Sequence, residues 1–150
     1  MSTKNINNLV ELFFINYKNQ KKDNILLTSL KDNSNCFTWE KTFHSIKKLS
    51  KEIKKYTDKG DRCLLISENR PEWLVTDLSV MLSEAITVPA YTTYAEKDYE
   101  YIIDNCNPKL IFVSNQEQFN KVKEIIKNKS FVVKIFSFEE LDIDTDTYIN

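Results

Sequence analysis

The chain begins with a helical pattern of apolar residues that gives way to short extended runs. Residues 6–17 carry apolar side chains at helical spacing, which predicts an amphipathic helix. Extended runs at 25–30 and 35–39 flank a turn-forming KDNS segment, which predicts a hairpin. The inward residues of the first helix are expected to be Leu9, Leu12, Phe13 and Tyr17.

Residues 39–56 show the clearest helical pattern. Thr38 is a suitable N-cap, and Glu40 lies in the first turn, where a negative charge complements the helix dipole. Gly60 follows the helix, where a positive φ costs glycine least. The apolar stripe consists of Phe43, Ile46, Leu49, Ile53 and Tyr56. The opposite face carries His44, Lys47, Lys48, Lys51, Lys54 and Lys55.

From residue 62 onward, short apolar runs alternate with helical segments. Pro89 has no N–H, so its strand is expected at an edge or a bulge, or to end early. This alternation predicts an α/β fold with a mostly parallel sheet flanked by helices, joined to the N-terminal helix and hairpin. Residues 1–138 are expected to form a partial domain, and 139–150 an acidic tail or truncated linker. The predicted strands are 62–67, 86–91, 109–114 and 131–138, and the predicted helices are 71–85, 96–106 and 116–128.

Composition excludes several kinds of site. The 150 residues include one glycine, so a Walker A loop or a GxGxxG turn cannot be built. A single histidine, His44, excludes a histidine-rich metal site. Net charge is −1, which gives no electrostatic basis for binding nucleic acid. No catalytic, cofactor-binding or metal-binding residue is therefore assigned to this chain.

The cysteine pattern and the hydropathy indicate the cellular compartment in which the chain is expected. Cys36, Cys63 and Cys106 are odd in number and have no CxxC spacing, which is typical of a reduced, cytosolic chain. No run approaches 18 apolar residues and the start lacks a signal-peptide pattern, so no integral membrane segment is expected.

Polar residues follow three of the predicted strands, where ligands bind in parallel sheets. They could line a crevice, but capping of the following helices explains the same residue types and is the preferred interpretation. These residues are Ser67, Glu68 and Asn69, then Tyr91, Thr92, Thr93 and Tyr94, and finally Ser114, Asn115 and Gln116.

Three other features have ordinary structural explanations. The lysine-rich face is interpreted as a solvated helix surface rather than a lipid or nucleic-acid site. Asp142, Asp144 and Asp146 begin like a calcium loop, but Thr147 replaces the required glycine, so calcium binding is rejected. Cys63 and Trp73 are expected to be core residues.

Several motifs, in order, match one known family. TWE at 38–40 starts the basic helix, and KGDR at 59–62 leads into SENRPEW at 67–73. VPAYTTY at 88–94 and KLIFVS at 109–114 complete the series. Over about 6–138 the chain resembles the N-terminal region of AMP-forming acyl-CoA synthetases, closest to long-chain fatty acid–CoA ligases. The family usually has glycine before the VP strand, where this chain has Ser83, Glu84 and Ala85.

The resemblance implies part of an enzyme that adenylates a fatty acid with ATP and then transfers it to CoA. For the full-length enzyme it implies ATP, Mg²⁺ and CoA, a fatty acid substrate, and a location in the cytoplasm that is compatible with peripheral membrane contact. The family's Ser/Thr/Gly-rich phosphate loop and its adenylation lysine lie further downstream than this chain extends. The chain alone is therefore expected to bind no cofactor, to be inactive, and to need the remainder of the synthetase as its partner. The short chain could be a truncated gene product, a split gene product or a fragment, and each origin is compatible with this resemblance.

Two alternatives stay open. A stand-alone, non-enzymatic α/β module could serve assembly or regulation with the same fold. A flavodoxin-like nucleotide binder is weaker, because the first strand–helix turn lacks glycine. The synthetase hypothesis also predicts that one sheet edge is apolar and uncovered, because the partner half is missing.

Overall fold

The computed structural model of the protein describes residues 6–29 and 36–142. Helices and strands alternate through most of this range, as the sequence predicts. The turn of the predicted hairpin, 31–34, lies outside the described residues. The elements are α1 (Leu9–Asn19), β1 (Ile25–Thr28), β2 (Cys36–Thr38), α2 (Trp39–Ile53), β3 (Arg62–Ile66), α3 (Pro71–Leu82), β4 (Ile86–Ala90), α4 (Glu96–Cys106), β5 (Leu110–Val113), α5 (Gln116–Ile126) and β6 (Lys134–Ser137).

Four parallel strands form the main sheet in the order β4-β3-β5-β6. The chain moves from β3 outward to β4, crosses back to β5, and continues to β6 on the other side. The α/β class and the parallel sheet are confirmed. Pro89 lies in β4 at one edge of the sheet, as its missing N–H requires.

The two faces of the sheet bury separate apolar clusters because strand side chains alternate. On one face, Leu64, Ile66 and Val113 pack against α4 and α5. On the other face, Cys63 and Leu65 pack toward α2 and α3. The central strands β3 and β5 are buried almost completely, so they anchor the layers on both sides.

The N-terminal helix and hairpin pack on the outer side of α2 and α3. Thr38 Oγ1 accepts the N–H of Lys41 at 3.1 Å, which confirms it as the N-cap of α2. The predicted inward face of α1 is wrong in part, because Leu9 and Leu12 are exposed. The aromatic residues decide the orientation: Phe13 stacks on Trp39, Phe14 meets Phe43 edge to face, and Tyr17 stacks on Phe43.

Among the described residues, three adopt positive φ, each in a turn beside the sheet. Gly60 has φ 86°, as the sequence predicts. Glu84 has φ 68° in the turn before β4, where the resemblance leads us to expect glycine, so this chain strains a side-chain-bearing residue there. Its carbonyl accepts the N–H of Gly60 at 2.9 Å, which ties the two turns together. Asn107, with φ 45°, ends α4.

The last strand is shorter than the predicted 131–138. Val132 donates its N–H to Lys129 O in a turn, and the regular pairing with β5 covers only Lys134–Ser137. Phe131 and Val132 therefore pack against the core under α5 rather than continuing the strand, whereas Val133 is exposed. Beyond β6, Leu141 packs on the same cluster, and Asp142 N–H binds Gln116 Oε1 at 2.8 Å.

Candidate functional site

The polar residues at the carboxyl ends of the strands divide into two groups. Asn115 caps α5 by accepting the N–H of Gln118 at 3.1 Å, as the capping interpretation requires. For the other two loops that interpretation is wrong. The N-cap of α3 is Arg70 and that of α4 is Ala95, and neither makes a side-chain cap bond. Other contacts hold these loops.

Arg70 joins the loop after β3 to the chain after β6. Its Nε lies 2.9 Å from Glu72, and its Nη1 lies 2.8 Å from Glu139 and 3.5 Å from Glu68. The guanidinium also stands 5.6 Å from the ring of Phe138. Burial works to lower the pKa of Arg70, but the bonds and charges of these carboxylates outweigh it and raise the pKa. Arg70 is therefore already paired with three glutamates, so its charge is not available to an anionic ligand.

Tyr99 of α4 fixes the 91–94 loop by a hydrogen bond to its backbone. Its hydroxyl donates to the carbonyl of Tyr91 at 2.7 Å and lies 3.3 Å from Gln118 Oε1. Burial, followed by the charge of Glu117, raises the pKa of Tyr99 to about 12, so the phenol stays a donor at neutral pH. Lys121 Nζ donates to the carbonyl of Thr92 at 2.7 Å. The loop is fastened through its backbone, which leaves the ring of Tyr91 exposed.

An open apolar groove lies on the α2/α3 side of β5 and β6, with a volume of about 500 Å³. Its floor is aromatic: Phe112 stacks on Phe136 at 5.0 Å, and Phe138 continues the row. Leu49 and Val75 line it from α2 and α3. The helices cover β3 and β5 but leave the β6 side of this face open. The remaining lining residues are Phe37, Ser45, Lys48, Glu52, Glu72, Thr76 and Ser137.

The lysine-rich face of α2 is exposed, as expected for a solvated helix surface. Lys55 binds Glu52 at 2.5 Å, and Lys54 lies 3.9 Å from Glu84. His44 faces Glu40 at 3.9 Å. Charges along this face are thus partly neutralised by neighbours.

The predicted core residues lie where expected. Cys63 is fully buried, and burial together with the Asp61 charge raises its pKa to about 12. Trp73 packs partly buried against the same cluster. The three cysteines, all within the described residues, form no disulfide.

The described residues contain no ready-made cluster of metal ligands. Among 6–29 and 36–142, no three His, Cys, Asp or Glu side chains are placed to hold a metal. Asp142 is described, whereas Asp144 and Asp146 lie outside the described residues. No described helix combines the length and the apolar character needed to cross a bilayer.

A sequence model of the AMP-binding enzyme family matches residues 15–148. The chain belongs to this family. The long-chain-fatty-acid–CoA ligase ACSBG2 of Mus musculus is 26% identical over 98 residues, which are 65% of this chain and 15% of the mouse protein. Long-chain-fatty-acid–CoA ligase 1 of Homo sapiens is 28% identical over 65 residues, 43% of this chain and 9% of the human protein. The chain therefore spans a small part of the length of these relatives.

Solved structures share the fold. An anthranilate CoA ligase, AuaEII, in complex with anthranoyl-AMP, superimposes with a TM-score of 0.75 at 19% identity. The match covers 85% of this chain and 24% of AuaEII. A putative long-chain-fatty-acid CoA ligase from Rhodopseudomonas palustris gives a TM-score of 0.77 at 14% identity, over 88% of this chain and 33% of the neighbour. The resemblance read from the motifs at 38–40, 67–73 and 88–94 is confirmed.

Sequence reasoning missed the Arg70 network and the groove. Arg70 and Glu139 are 69 residues apart, and no local pattern pairs them. The groove had an indirect signal, since Phe136 and Phe138 share one strand face with Phe112 across the pairing. The sequence could not show that these three rings would remain uncovered by the described helices.

Proposed function

We propose that this chain is the N-terminal part of a long-chain fatty acid–CoA ligase. In the complete enzyme, ATP would adenylate the fatty acid carboxylate with release of pyrophosphate, and the CoA thiol would then take the acyl group. ATP, CoA and the fatty acid are substrates of that enzyme, and Mg²⁺ would accompany the ATP phosphates. The chain contributes sheet framework, residues 1–138 forming the unit and 139–150 leading out of it.

The observation that carries this proposal is the agreement of family and relatives over one region. The AMP-binding match spans 15–148, and the aligned curated relatives include fatty acid–CoA ligases from animals, Mycobacterium and Dictyostelium discoideum. Each relative is several times longer than the aligned part. This supports the proposal that the activity needs sequence beyond the matched region.

The chain's own chemistry agrees with a framework role. Its single glycine, Gly60, lies at the end of the sheet opposite the strand carboxyl ends, in the turn before β3. Arg70 is engaged by three glutamates, and Tyr99 is a neutral donor to the backbone. None of these groups is arranged to hold a triphosphate, which needs clustered backbone N–H groups or free cations. The 150-residue chain is thus proposed to be inactive alone and to work in the cytoplasm as part of the larger enzyme.

The mature transcript beyond the codon for Asn150 tests this proposal. We expect an open frame that encodes a Ser/Thr/Gly-rich motif ending in lysine, because such a loop wraps a triphosphate and is missing here. A stop codon directly after Asn150, with no separate open frame that encodes the rest of a synthetase, would contradict the proposal. It would favour the stand-alone, non-enzymatic module instead.

A further inference from the structure

The strand order of the main sheet reverses between β3 and β5. From β3 the chain moves outward to β4, whereas from β5 it moves in the opposite direction to β6. In parallel sheets, ligands bind in the crevice beyond the carboxyl ends of two such strands. Here that crevice lies between the loop after β3, residues 67–70, and the loop after β5, residues 114–115. We call it the switch crevice.

The chain that leaves β6 contacts both loops of the switch crevice. Phe138 still follows β5, since its N–H donates to a β5 carbonyl at 3.1 Å. Glu139 then meets Arg70 of the first loop, with Oε1 2.8 Å from Nη1. Three residues further on, Asp142 donates its N–H to Gln116 Oε1 at 2.8 Å, directly after the second loop.

The same segment, residues 138–142, passes from one face of the sheet to the other, and we call it the exit strap. Phe138 packs with the cluster under α2 and α3, whereas Leu141 packs with the cluster under α4 and α5. Its contacts on the two faces, Arg70 and Gln116, stand at the starts of α3 and α5. The exit strap therefore changes face over the carboxyl ends of the strands.

Ser114, the first residue after β5, is buried at this end of the sheet. It is 0% exposed although it belongs to a loop, and its Oγ has no hydrogen-bond partner among the described residues. Burying a hydroxyl without a partner is unfavourable, whereas an exposed hydroxyl binds water. Hydration of Ser114 would therefore offset part of the cost of opening the crevice.

The ion pair of Glu139 is the contact of the exit strap that is most easily broken. The Glu139 side chain is 53% exposed, so salt screens its attraction to Arg70 and water can replace it. Arg70 keeps two other carboxylates, Glu72 at 2.9 Å and Glu68 at 3.5 Å. The strap can thus leave Arg70 without leaving the guanidinium unpaired.

We propose that the exit strap is a lid over the switch crevice and that the Glu139–Arg70 ion pair keeps it closed. With the pair formed, the lid is closed and Ser114 is buried. With the pair broken, residues 139–142 move away and the Ser114 hydroxyl reaches solvent. Phe138, a floor residue of the aromatic groove, then also loses the guanidinium that stands 5.6 Å from its ring. This inference does not depend on the proposed function.

Thiol labelling of Ser114→Cys in the purified 150-residue protein measures the opening. Cysteine is close to serine in size and is tolerated in buried sites, so this starting variant should keep the lid closed. Peptide mass spectrometry reads iodoacetamide labelling at position 114 separately from the native cysteines. We expect position 114 to react at least ~10-fold more slowly than the half-buried Cys36. Adding Glu139→Gln should raise the rate at position 114 ~3- to 10-fold.

Two controls separate the lid from a general loss of stability. Glu140→Gln removes the same charge from the next residue, which is exposed, and should change the rate at position 114 by less than ~2-fold. Cys63 is fully buried in β3 and reports global opening, so it should label equally slowly in every variant.

Salt provides an independent test of the ion pair. Raising sodium chloride from about 0.05 to about 1 M should increase the rate at position 114 in the starting variant ~2- to 5-fold. This effect should disappear when Glu139→Gln is present, because the pair that salt screens is already lost.

Amide exchange tests the lid without a substitution at position 114. In Glu139→Gln, the amides of residues 139–142 should exchange ~3- to 10-fold faster than in the wild type, whereas those of β3 should not change. Unchanged exchange of 139–142 would overturn the proposal, as would equal labelling of position 114 with and without Glu139→Gln. Equal acceleration at position 114 and Cys63 would indicate general destabilisation and overturn it too. Labelling of the starting variant at position 114 as fast as at Cys36 would show that the crevice is open, against the proposal.

Discussion

Tyr99→Phe isolates one hydroxyl that links α4 to the 91–94 loop and to α5. The ring of Tyr99 is fully buried, and phenylalanine fills the same space, so no cavity forms. The change deletes the 2.7 Å bond to Tyr91 O and the 3.3 Å contact with Gln118 Oε1. Gln118 is 3% exposed, so water cannot easily replace its lost partner. We expect a loss of about 1–2 kcal/mol in the free energy of unfolding.

Urea and thermal denaturation measure this loss. For a domain of this size the midpoint should fall by roughly 3–8 °C. Tyr101→Phe is the matched control on the same helix, because Tyr101 is 72% exposed; it should change stability by less than ~0.5 kcal/mol. Backbone amides of the 91–94 loop should also exchange faster in Tyr99→Phe. Equal stability of both variants and the wild type would refute the assignment of Tyr99 as the fastening of this loop.

Four further predictions follow from strain, charge and burial. The pKa of Tyr99 is raised to about 12, so the neutral phenol favours the folded state, and roughly 2–3 kcal/mol of unfolding free energy should be lost as the pH rises from 10 to 12. In urea unfolding at a series of pH values, the unfolding free energy of Tyr99→Phe should fall less steeply with pH than that of the wild type. Parallel pH dependence in the two proteins would contradict this. Glu84→Gly should raise the unfolding free energy by about 0.5–1 kcal/mol by relieving the positive φ, and a loss of stability would show that its side chain matters more. Arg70→Ala should lower the thermal midpoint at a cost of about 1–2 kcal/mol, with Arg70→Lys in between; an unchanged midpoint in both would discount the network. Cys63 should resist iodoacetamide in the native state, as read by mass spectrometry, whereas labelling as fast as at the half-buried Cys36 would contradict its burial.

The alternation of apolar runs was sufficient to predict the sheet and its flanking helices. Runs such as 109–114 are short and continuous, which suits strands covered on both faces, and β5 is buried throughout. Local chemistry also predicted Thr38 as a cap and Pro89 at an edge, because both depend on a single hydrogen-bonding group.

Features that depend on distant partners were not predictable. In α1, apolar residues surround most of the helix, so periodicity alone could not choose between Leu9 and Phe14 as core residues. The stacking partners on α2 decided it. The polar loops after β3 and β4 were predicted to cap helices, but their actual contacts, to Glu139 and to Tyr99, come from remote positions in the sequence.

Acyl-adenylate formation by the purified 150-residue protein tests the central claim most directly. The protein is incubated with ATP, Mg²⁺ and palmitate, and palmitoyl-AMP and pyrophosphate are measured by mass spectrometry and pyrophosphate-dependent isotope exchange. We predict no product above the protein-free background, because the role proposed for the chain is that of a framework without a site for the triphosphate. Palmitoyl-AMP formed in proportion to the protein would contradict the account.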